Sequence, residues 1–434
     1  MDLCIVGTGH VGLVTGACFA DLGHRVIMVD VDRARIAGLK RGRMPFYEPG
    51  MGELVRRNVR ARRQTFTTDL AAGVRKSLVI FICVGTPSKE NGEADLSFVE
   101  DVARRIARTM TGYRLVVDKS TVPVQTGAQV AQTITQSLKR RVPFDVASNP
   151  EFLREGSAVR DFLEPDRVVL GVESAKARRL LAELYRDFKA PLVVTDIKSA
   201  ELIKHASNSF LATKISYMNA VAAVCERVGA DVTKVAEGMG LDPRIGRAFL
   251  DAGIGFGGFC FPKDIAAFIR IAEQLGYDFA LLKATERINQ EQPQRFVAAA
   301  KETLWVLSNK TVGVLGLSFK PETDDLRYAP ALDVIRLLQA EGSRVQAYDP
   351  QAMPGARRVL SGVRYCKDAY AAARGADALA VLTEWAEFRD LNLTRLKRLM
   401  RQPVILDGRN LYDPARVRAA GFRYVGIGRG REAA

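Results

Sequence analysis

The 434-residue chain has few of the residues that bind transition metals or cross-link extracellular folds. It holds three histidines, none beside a cysteine cluster, so no metal site is expected. Its six cysteines (4, 18, 83, 225, 260, 366) form no C-x-x-C pair, and most lie in apolar, periodic surroundings. That pattern suits a reducing cytoplasm better than a disulfide framework. No apolar run has the length of a membrane span. The longest, "LVIFICV", is of strand length, and no membrane partner is expected. The opening "MDLCIVGTG" places an acidic residue before a strand and does not read as a signal peptide.

What is present is an ordinary globular composition, 47% hydrophobic and 26% charged, at a length that suggests two or three domains. The formal net charge is +15. Basic runs such as "RRNVRARR" (56–63) and "KRR" (139–141) read as solvated helix faces. No aromatic-interleaved basic motif accompanies them, so no nucleic-acid partner is expected. A diffuse positive field would instead steer small polyphosphates.

The first thirty residues alternate clearly. "LCIV" reads as a buried strand, "GTGHVG" as a glycine turn, "LVTGACFADL" as a helix stopped by Gly23, and "RVIMVD" as a second strand. This is a βαβ unit with G-x-G-x-x-G at Gly7, Gly9 and Gly12, and Asp30 closes strand two. The first glycine makes the tight turn, the second admits a pyrophosphate to the backbone, and the third lets helix and strand pack closely. The helix N-terminus faces the phosphates. Asp30 can accept the ribose 2′-hydroxyl and would repel a 2′-phosphate, so NAD is expected; Arg33 and Arg35 leave NADP as the alternative.

Further strands are predicted at "SLVIFICVGTP", "RLVVDKSTVP", "FDVASNPEF" and "DRVVLGV", each ending in turn-forming residues as parallel strands do at a ligand-binding carboxyl edge. From Ile197 a helical period runs for about thirty residues without proline, a spine between domains. The chain then echoes its start: "KTVGVLGLSF", "ALDVIRLLQAEG" and "SRVQAYDP" form a second strand–helix–strand unit ending at Asp349. It lacks the full glycine fingerprint, so a different nucleotide is expected there. The fold class is α/β, with two Rossmann-like doubly wound domains joined by a long central helix.

Four clusters carry candidate chemistry: "STVP" (120–123), "NPEFLREG" (149–156), "IKHASN" (203–208) and "GIGFGGFCFPKD" (253–264). Each has a plain reading. Thr121 can simply turn the chain before Pro123, Glu151 and Glu155 can be solvated helix charges, Lys204 a surface lysine, and Cys260 a buried bystander. Lys204 and Asn208 stand at i and i+4, on one helix face. Together, a thiol, an amine, an amide and carboxylates beside a dinucleotide make a usable catalytic set. A thiolate can attack an aldehyde to give a thiohemiacetal, whose oxidation leaves a thioester for water to open. That chemistry needs a base, for which Glu151 is suited, and oxyanion donors, for which Lys204 and Asn208 are suited. The glycines before Cys260 are read as leaving room for the substrate.

The motifs "GFGGFCFPKD", "NPEFLREGSAVRDFLEPDRVVLG", "VGTP", "STVP" and "KPETDDLR" resemble those of the UDP-glucose/GDP-mannose dehydrogenase family of nucleotide-sugar 6-dehydrogenases, in the family's order from Gly7 to about Arg409. The resemblance implies Cys260 as nucleophile, with Lys204, Asn208 and Asp264 around it, and Thr121 and Glu151 holding the catalytic water. It implies NAD contacts from Val11, Asp30, Arg35, Thr86, Thr121, Glu155, Lys263 and Arg327. A nucleotide sugar would lie along Phe152, Leu153, Arg154 and Glu155, on Lys204 and Asn208, against Phe249, Leu250, Asp251, Ala252 and Gly253, near Gly257, with Lys320 on the diphosphate side. "REGSAVRDFLEPDRVV" and "TEWAEF" look most like the branch acting on UDP-glucose, with GDP-mannose and UDP-N-acetylmannosamine as rivals. The implied domains are an NAD-binding one at 1–196, a helical one at 197–306 and a UDP-sugar-binding one at 307–434, in a homo-oligomer, at least a dimer. One departure stands out: Phe259 occupies the place where the family commonly has serine, and an aromatic there alters local packing. A two-electron hydroxy-acid dehydrogenase shares the bilobal plan but has no need of Cys260. An NAD-sensing module without activity gives no reason for the cysteine cluster.

Overall fold

The strand Asp2–Val6 (β1) is buried from Leu3 onward and alternates between two cores. Leu3 and Ile5 pack with Phe19, Phe81 and Val117 on one face, and Cys4 and Val6 with Ile80, Ile82 and Val116 on the other. A strand covered on both faces needs a continuous apolar run, which is why "LCIV" carries no polar alternation. Each fully buried aliphatic or aromatic side chain contributes roughly 1.5–3 kcal/mol. The computed structural model describes residues 1–87, 89 and 92–429. They form two units: residues 1–207 with 266–277, and residues 208–265 with the chain from 278 onward.

In the first unit, β1 is joined by β2 (Arg25–Val29), β3 (Gln64–Thr67), β4 (Val79–Ile82), β5 (Arg114–Asp118), β6 (Phe144–Ser148), β7 (Val168–Val172) and β8 (Leu192–Thr195). The sheet order is β3-β2-β1-β4-β5-β6-β7-β8. The first six strands are parallel and in register at their carboxyl ends, Val6 opposite Val29 and Ile82, Ile82 opposite Asp118, and Asp118 opposite Ser148. The turns after them therefore share one edge, where ligands bind in open α/β sheets.

One expectation is corrected. "DRVVLGV" does form a strand, β7, but it runs antiparallel to β6, with Ser148 opposite Gly171, so its carboxyl end lies at the other edge. The reason is a contact between parts of the chain far apart in sequence. Glu48 accepts the N–H groups of Gly156 and Ala158 at 2.7 and 2.8 Å and contacts the His10 ring at 2.8 Å. His10 opens the helix after the glycine turn, so the loop following β6 is held at the carboxyl edge and β7 starts from there.

The second unit repeats the plan with β9 (Thr311–Leu315), β10 (Arg344–Tyr348), β11 (Val363–Tyr365), β12 (Ala378–Val381), β13 (Val404–Asp407) and β14 (Arg423–Gly426). All are parallel, in the order β11-β10-β9-β12-β13-β14. Asp349 follows β10 as Asp30 follows β2, but it is fully buried. Its oxygens accept from the N–H groups of Leu317, Ser318, Gln351 and Ala352 at 2.7–3.1 Å, so the carboxylate is spent on its own chain. The predicted spine is the helix Ile197–Val228, ended by Gly229 at φ +77°.

Candidate active site

In the first unit the glycine turn has the form its spacing predicts. Gly7 has φ +103°, and a Cβ there would stand 2.3 Å from the Cys83 carbonyl oxygen. A Cβ on Gly12 would stand 2.1 Å from the Gly7 carbonyl oxygen. At Gly9 nothing lies within 4 Å of that position, so one face of the backbone is open at the start of the helix His10–Asp21. A pyrophosphate fits that opening. Asp30 accepts from the Thr8 N–H and hydroxyl at 2.8 and 2.6 Å and from the Asp32 N–H at 3.0 Å, with the Arg35 guanidinium at 3.3 Å. Burial raises its carboxyl pKa, but these hydrogen bonds and Arg35 outweigh burial and hold it below the usual range. Arg35 thus sits on Asp30, and Val11 lies half-buried beside the opening. Thr86 is buried and donates to the Thr121 carbonyl at 2.8 Å.

The turns after β5 and β6 meet the central helix in the same unit. Lys204 places its ammonium 3.0 Å from Glu151, and the other Glu151 oxygen accepts from the Leu153 N–H at 2.6 Å. Residues 151–154 are not helical, and Glu151 is buried, so the solvated-helix reading of Glu151 fails. Phe152 carries the Arg167 guanidinium 3.6 Å from its ring centre, and Arg154 is forked onto Asp161. Glu155 is half-buried. A cavity of about 90 Å³ is lined by Lys119, Glu151, Phe152, Arg154, Arg167 and Tyr185 among others.

Three side chains that the sequence did not single out tie this set together. Lys119, whose pKa burial lowers to about 8, donates to the Asn149 side chain at 2.9 Å, linking the loop of Thr121 to the turn of Glu151. Glu201 accepts from the N–H groups of Gln125 and Gly127, both at 2.7 Å. The His205 ring contacts the Val122 carbonyl at 2.8 Å. Glu201 and His205 stand at i and i+4 on one face of the central helix, the one signal that could have found them.

The second unit holds the rest. Cys260 begins the helix Cys260–Gln274, whose N-terminus is electrostatically suited to a thiolate or an oxyanion. Five cysteines are buried and Cys260 is half-exposed. Burial pushes Cys4 and Cys83 up to about 12, so they are inert small hydrophobes. Asp264 is fully buried; it accepts from the Asn208 amide at 2.6 Å and lies 2.8 Å from the Lys263 ammonium. Lys320 lies 5.8 Å from the Phe319 ring centre.

The glycines before the thiol have close neighbours within the chain. A Cβ at Gly257 would stand 2.2 Å from the Tyr328 carbonyl oxygen, one at Gly258 2.8 Å from the Phe319 ring, and one at Gly253 2.8 Å from the Gly408 carbonyl oxygen. The close approach they permit is made by the chain itself. Asn289 clamps the Phe256 N–H and carbonyl at 2.8 and 3.0 Å, and Arg409 donates to the Gly255 carbonyl at 2.9 Å; neither was visible in spacing. In "FLDAG", Phe249 is held at φ +65°, Leu250 and Ala252 are buried in the core, Asp251 is exposed, and the Gly253 N–H is taken by Asn219 at 2.9 Å.

The first unit therefore collects Gly7, Gly9, Val11, Gly12, Asp30, Arg35, Thr86, Thr121, Glu151 to Glu155 and Lys204. The second collects Asn208, Phe249 to Gly253, Gly257, Cys260, Lys263, Asp264, Lys320 and Arg327. Among the described residues no group of three or more His, Cys, Asp or Glu could hold a metal, and no helix is long and apolar enough to cross a membrane.

Comparison with known proteins matches three family regions of the UDP-glucose/GDP-mannose dehydrogenases: the NAD binding domain over residues 1–189, the central domain over 198–291 and the UDP binding domain over 313–414. A UDP-glucose 6-dehydrogenase of Bacillus subtilis is 49% identical, covering 98% of this chain and 93% of that one. A solved UDP-glucose dehydrogenase from Pyrobaculum islandicum is 42% identical with a TM-score of 0.92, over 98% of this chain and 97% of that one. A solved UDP-D-ManNAc dehydrogenase from Pyrococcus horikoshii is 29% identical with a TM-score of 0.87, covering 99% of each chain. With a dinucleotide turn that fits NAD and likeness along almost its whole length, this chain is an NAD-dependent oxidoreductase and belongs to the UDP-glucose/GDP-mannose dehydrogenase family.

Proposed function

We propose that the protein oxidises the 6-hydroxyl of UDP-glucose to the carboxylate of UDP-glucuronate, a four-electron reaction carried through a thioester on Cys260. The observation that carries this reading is a half-exposed thiol at a helix N-terminus, on the same short segment as the buried Lys263–Asp264 pair and its Asn208 partner. The choice of sugar is supported by the 49% identity to a UDP-glucose 6-dehydrogenase, against 29% to a UDP-D-ManNAc dehydrogenase.

NAD, when bound at Gly7 to Gly12 and Asp30, supplies the hydride acceptor for each two-electron step. The chain's own residues do the rest. Once the alcohol is an aldehyde, the Cys260 thiolate forms an S–C bond to its carbon and the carbonyl oxygen becomes an oxyanion. Lys204 and Asn208 stabilise that oxyanion as cation and amide donor. Loss of the second hydride leaves a thioester. Water, held by Thr121, then adds to the acyl carbon; Glu151 takes its proton and the C–S bond breaks, returning the thiolate. The balance is one alcohol and one water in, and one carboxylate, two hydrides (one to each of two NAD) and three protons out. Asp264, held by Lys263 and Asn208, keeps the Cys260 turn and the amide in register.

Val11, Arg35, Thr86, Glu155, Lys263 and Arg327 complete the proposed cofactor contacts. Phe152 to Glu155, Phe249 to Gly253, Gly257 and Lys320 complete those to the nucleotide sugar. The division at 1–196, 197–306 and 307–434 is supported by the three matched family regions. A homo-oligomer built on the central helix is supported by the exposure of Phe210, Tyr217, Val224 and Val228 along it. Six free thiols fit the cytoplasm.

The test is a panel of UDP-glucose, GDP-mannose and UDP-N-acetylmannosamine with NAD or NADP, following absorbance of the reduced cofactor. UDP-glucose with NAD is expected to turn over fastest. Faster reduction with either rival sugar overturns the substrate, and no reduction with any of them overturns the reaction.

A further inference from the structure

Phe259 has two cations within reach of its ring. Its ring centre lies 4.4 Å from the Arg327 guanidinium carbon and 5.5 Å from the Lys263 ammonium. Both distances are within the reach of a cation–π attraction, about 6 Å. The backbone enforces the arrangement: the Gly258 N–H donates to the Arg327 carbonyl at 2.9 Å, and Gly258 has φ +79° with the Phe319 ring filling the space beside it. Each cation is also held by one carboxylate. Arg327 is forked onto Asp325 at 2.9 and 2.6 Å, and Lys263 lies 2.8 Å from Asp264. Arg327, Phe259, Lys263, Asp264 and Asn208 thus form a continuous row of contacts.

Two like charges brought together repel, and something must offset the repulsion if they are to serve one anion. A further carboxylate would do so but would also repel the anion. An aromatic face attracts both cations while adding no net charge, and it fixes the guanidinium plane without competing for an incoming phosphate. We propose that Phe259 is a positioning residue for the cofactor: its ring gathers Arg327 and Lys263 into one anion-binding pair and so sets NAD affinity more than the rate of the chemical steps. This rests on the reading of Lys263 and Arg327 as cofactor contacts.

The experiment is calorimetric titration of NAD into the full-length protein without sugar, for wild type, Phe259→Tyr, Phe259→Leu and Phe259→Ser, with steady-state kinetics on each. Tyr keeps the π face, whereas Leu keeps apolar bulk and loses it. Tyr is expected to stay within about twofold of wild type, while Leu and Ser weaken NAD about fivefold to tenfold. KM for NAD should rise in parallel, with a smaller change in kcat. Leu matching wild type while Arg327→Ala and Lys263→Ala both weaken NAD overturns the aromatic platform alone. Arg327→Ala and Lys263→Ala both matching wild type overturn the cofactor contacts and this inference with them.

Discussion

Lys204 holds its ammonium 3.0 Å from a carboxylate oxygen of Glu151, and the two side chains are only 5% and 4% exposed. Removing both charges from water costs nearly what their attraction returns, so such a pair contributes little to stability as a whole. Its removal by halves is another matter, because a buried charge is left behind. Lys204→Met should lower stability by about 3 kcal/mol, read as a shift of the urea midpoint. Lys204→Met with Glu151→Gln should recover most of that loss and none of the turnover. A single variant as stable as wild type would show that Glu151 does not depend on Lys204.

Glu201 gives stability a pH dependence of defined sign. Burial raises its carboxyl pKa from 4.5 to about 7, against the two N–H groups it accepts from; Asp196 raises it and Lys198 lowers it. Asp118, on β5, is raised well above its usual value by burial and by Glu201. The helix Thr126–Ser137, which Glu201 caps, carries no titratable side chain. A native carboxyl that binds its proton more tightly than the unfolded one contributes stability in full below about pH 4.5 and loses it as pH rises through about 7. Between pH 5 and 8 wild type should therefore lose on the order of 3 kcal/mol relative to Glu201→Gln. A stability difference between the two that is flat with pH contradicts this.

Asp30→Asn keeps an oxygen for the Thr8 N–H but removes the charge. KM for NAD should rise about tenfold and the preference for NAD over NADP should shrink, since the ribose acceptor weakens and the repulsion of a 2′-phosphate goes. Unchanged preference would place the discrimination elsewhere.

The sequence told most where side-chain period and backbone chemistry coincide. Gly7, Gly12 and Asp30 were readable because a turn that forbids a Cβ and a strand that ends on a carboxylate leave marks at fixed spacing. The central helix was readable from thirty residues of unbroken period. What did not show is long-range. The reversal of β7 depends on Glu48 reaching Gly156 and Ala158 about a hundred residues away. Lys119, Glu201 and His205 bond to loops whose proximity only the folded sheet creates. The glycine segment is ambiguous in sequence, because a glycine that admits a ligand and one that admits Tyr328 look alike.

Cys260→Ala should fold and bind NAD with close to the affinity of wild type, because it removes only a sulfur and leaves Gly7 to Gly12, Asp30, Phe259, Lys263 and Arg327 unchanged. Formation of the acid should fall by several orders of magnitude, as covalent capture has no substitute among the buried thiols. Acid production near the wild-type rate would remove Cys260 from the chemistry.

The central claim is that one active site takes an alcohol to an acid without releasing the aldehyde. The ratio of NADH formed to UDP-glucose consumed, measured in the same reaction with the sugar products identified, tests it most directly. The account predicts two NADH and one UDP-glucuronate for each UDP-glucose, with no free aldehyde. One NADH for each sugar, with the aldehyde in solution, would contradict it.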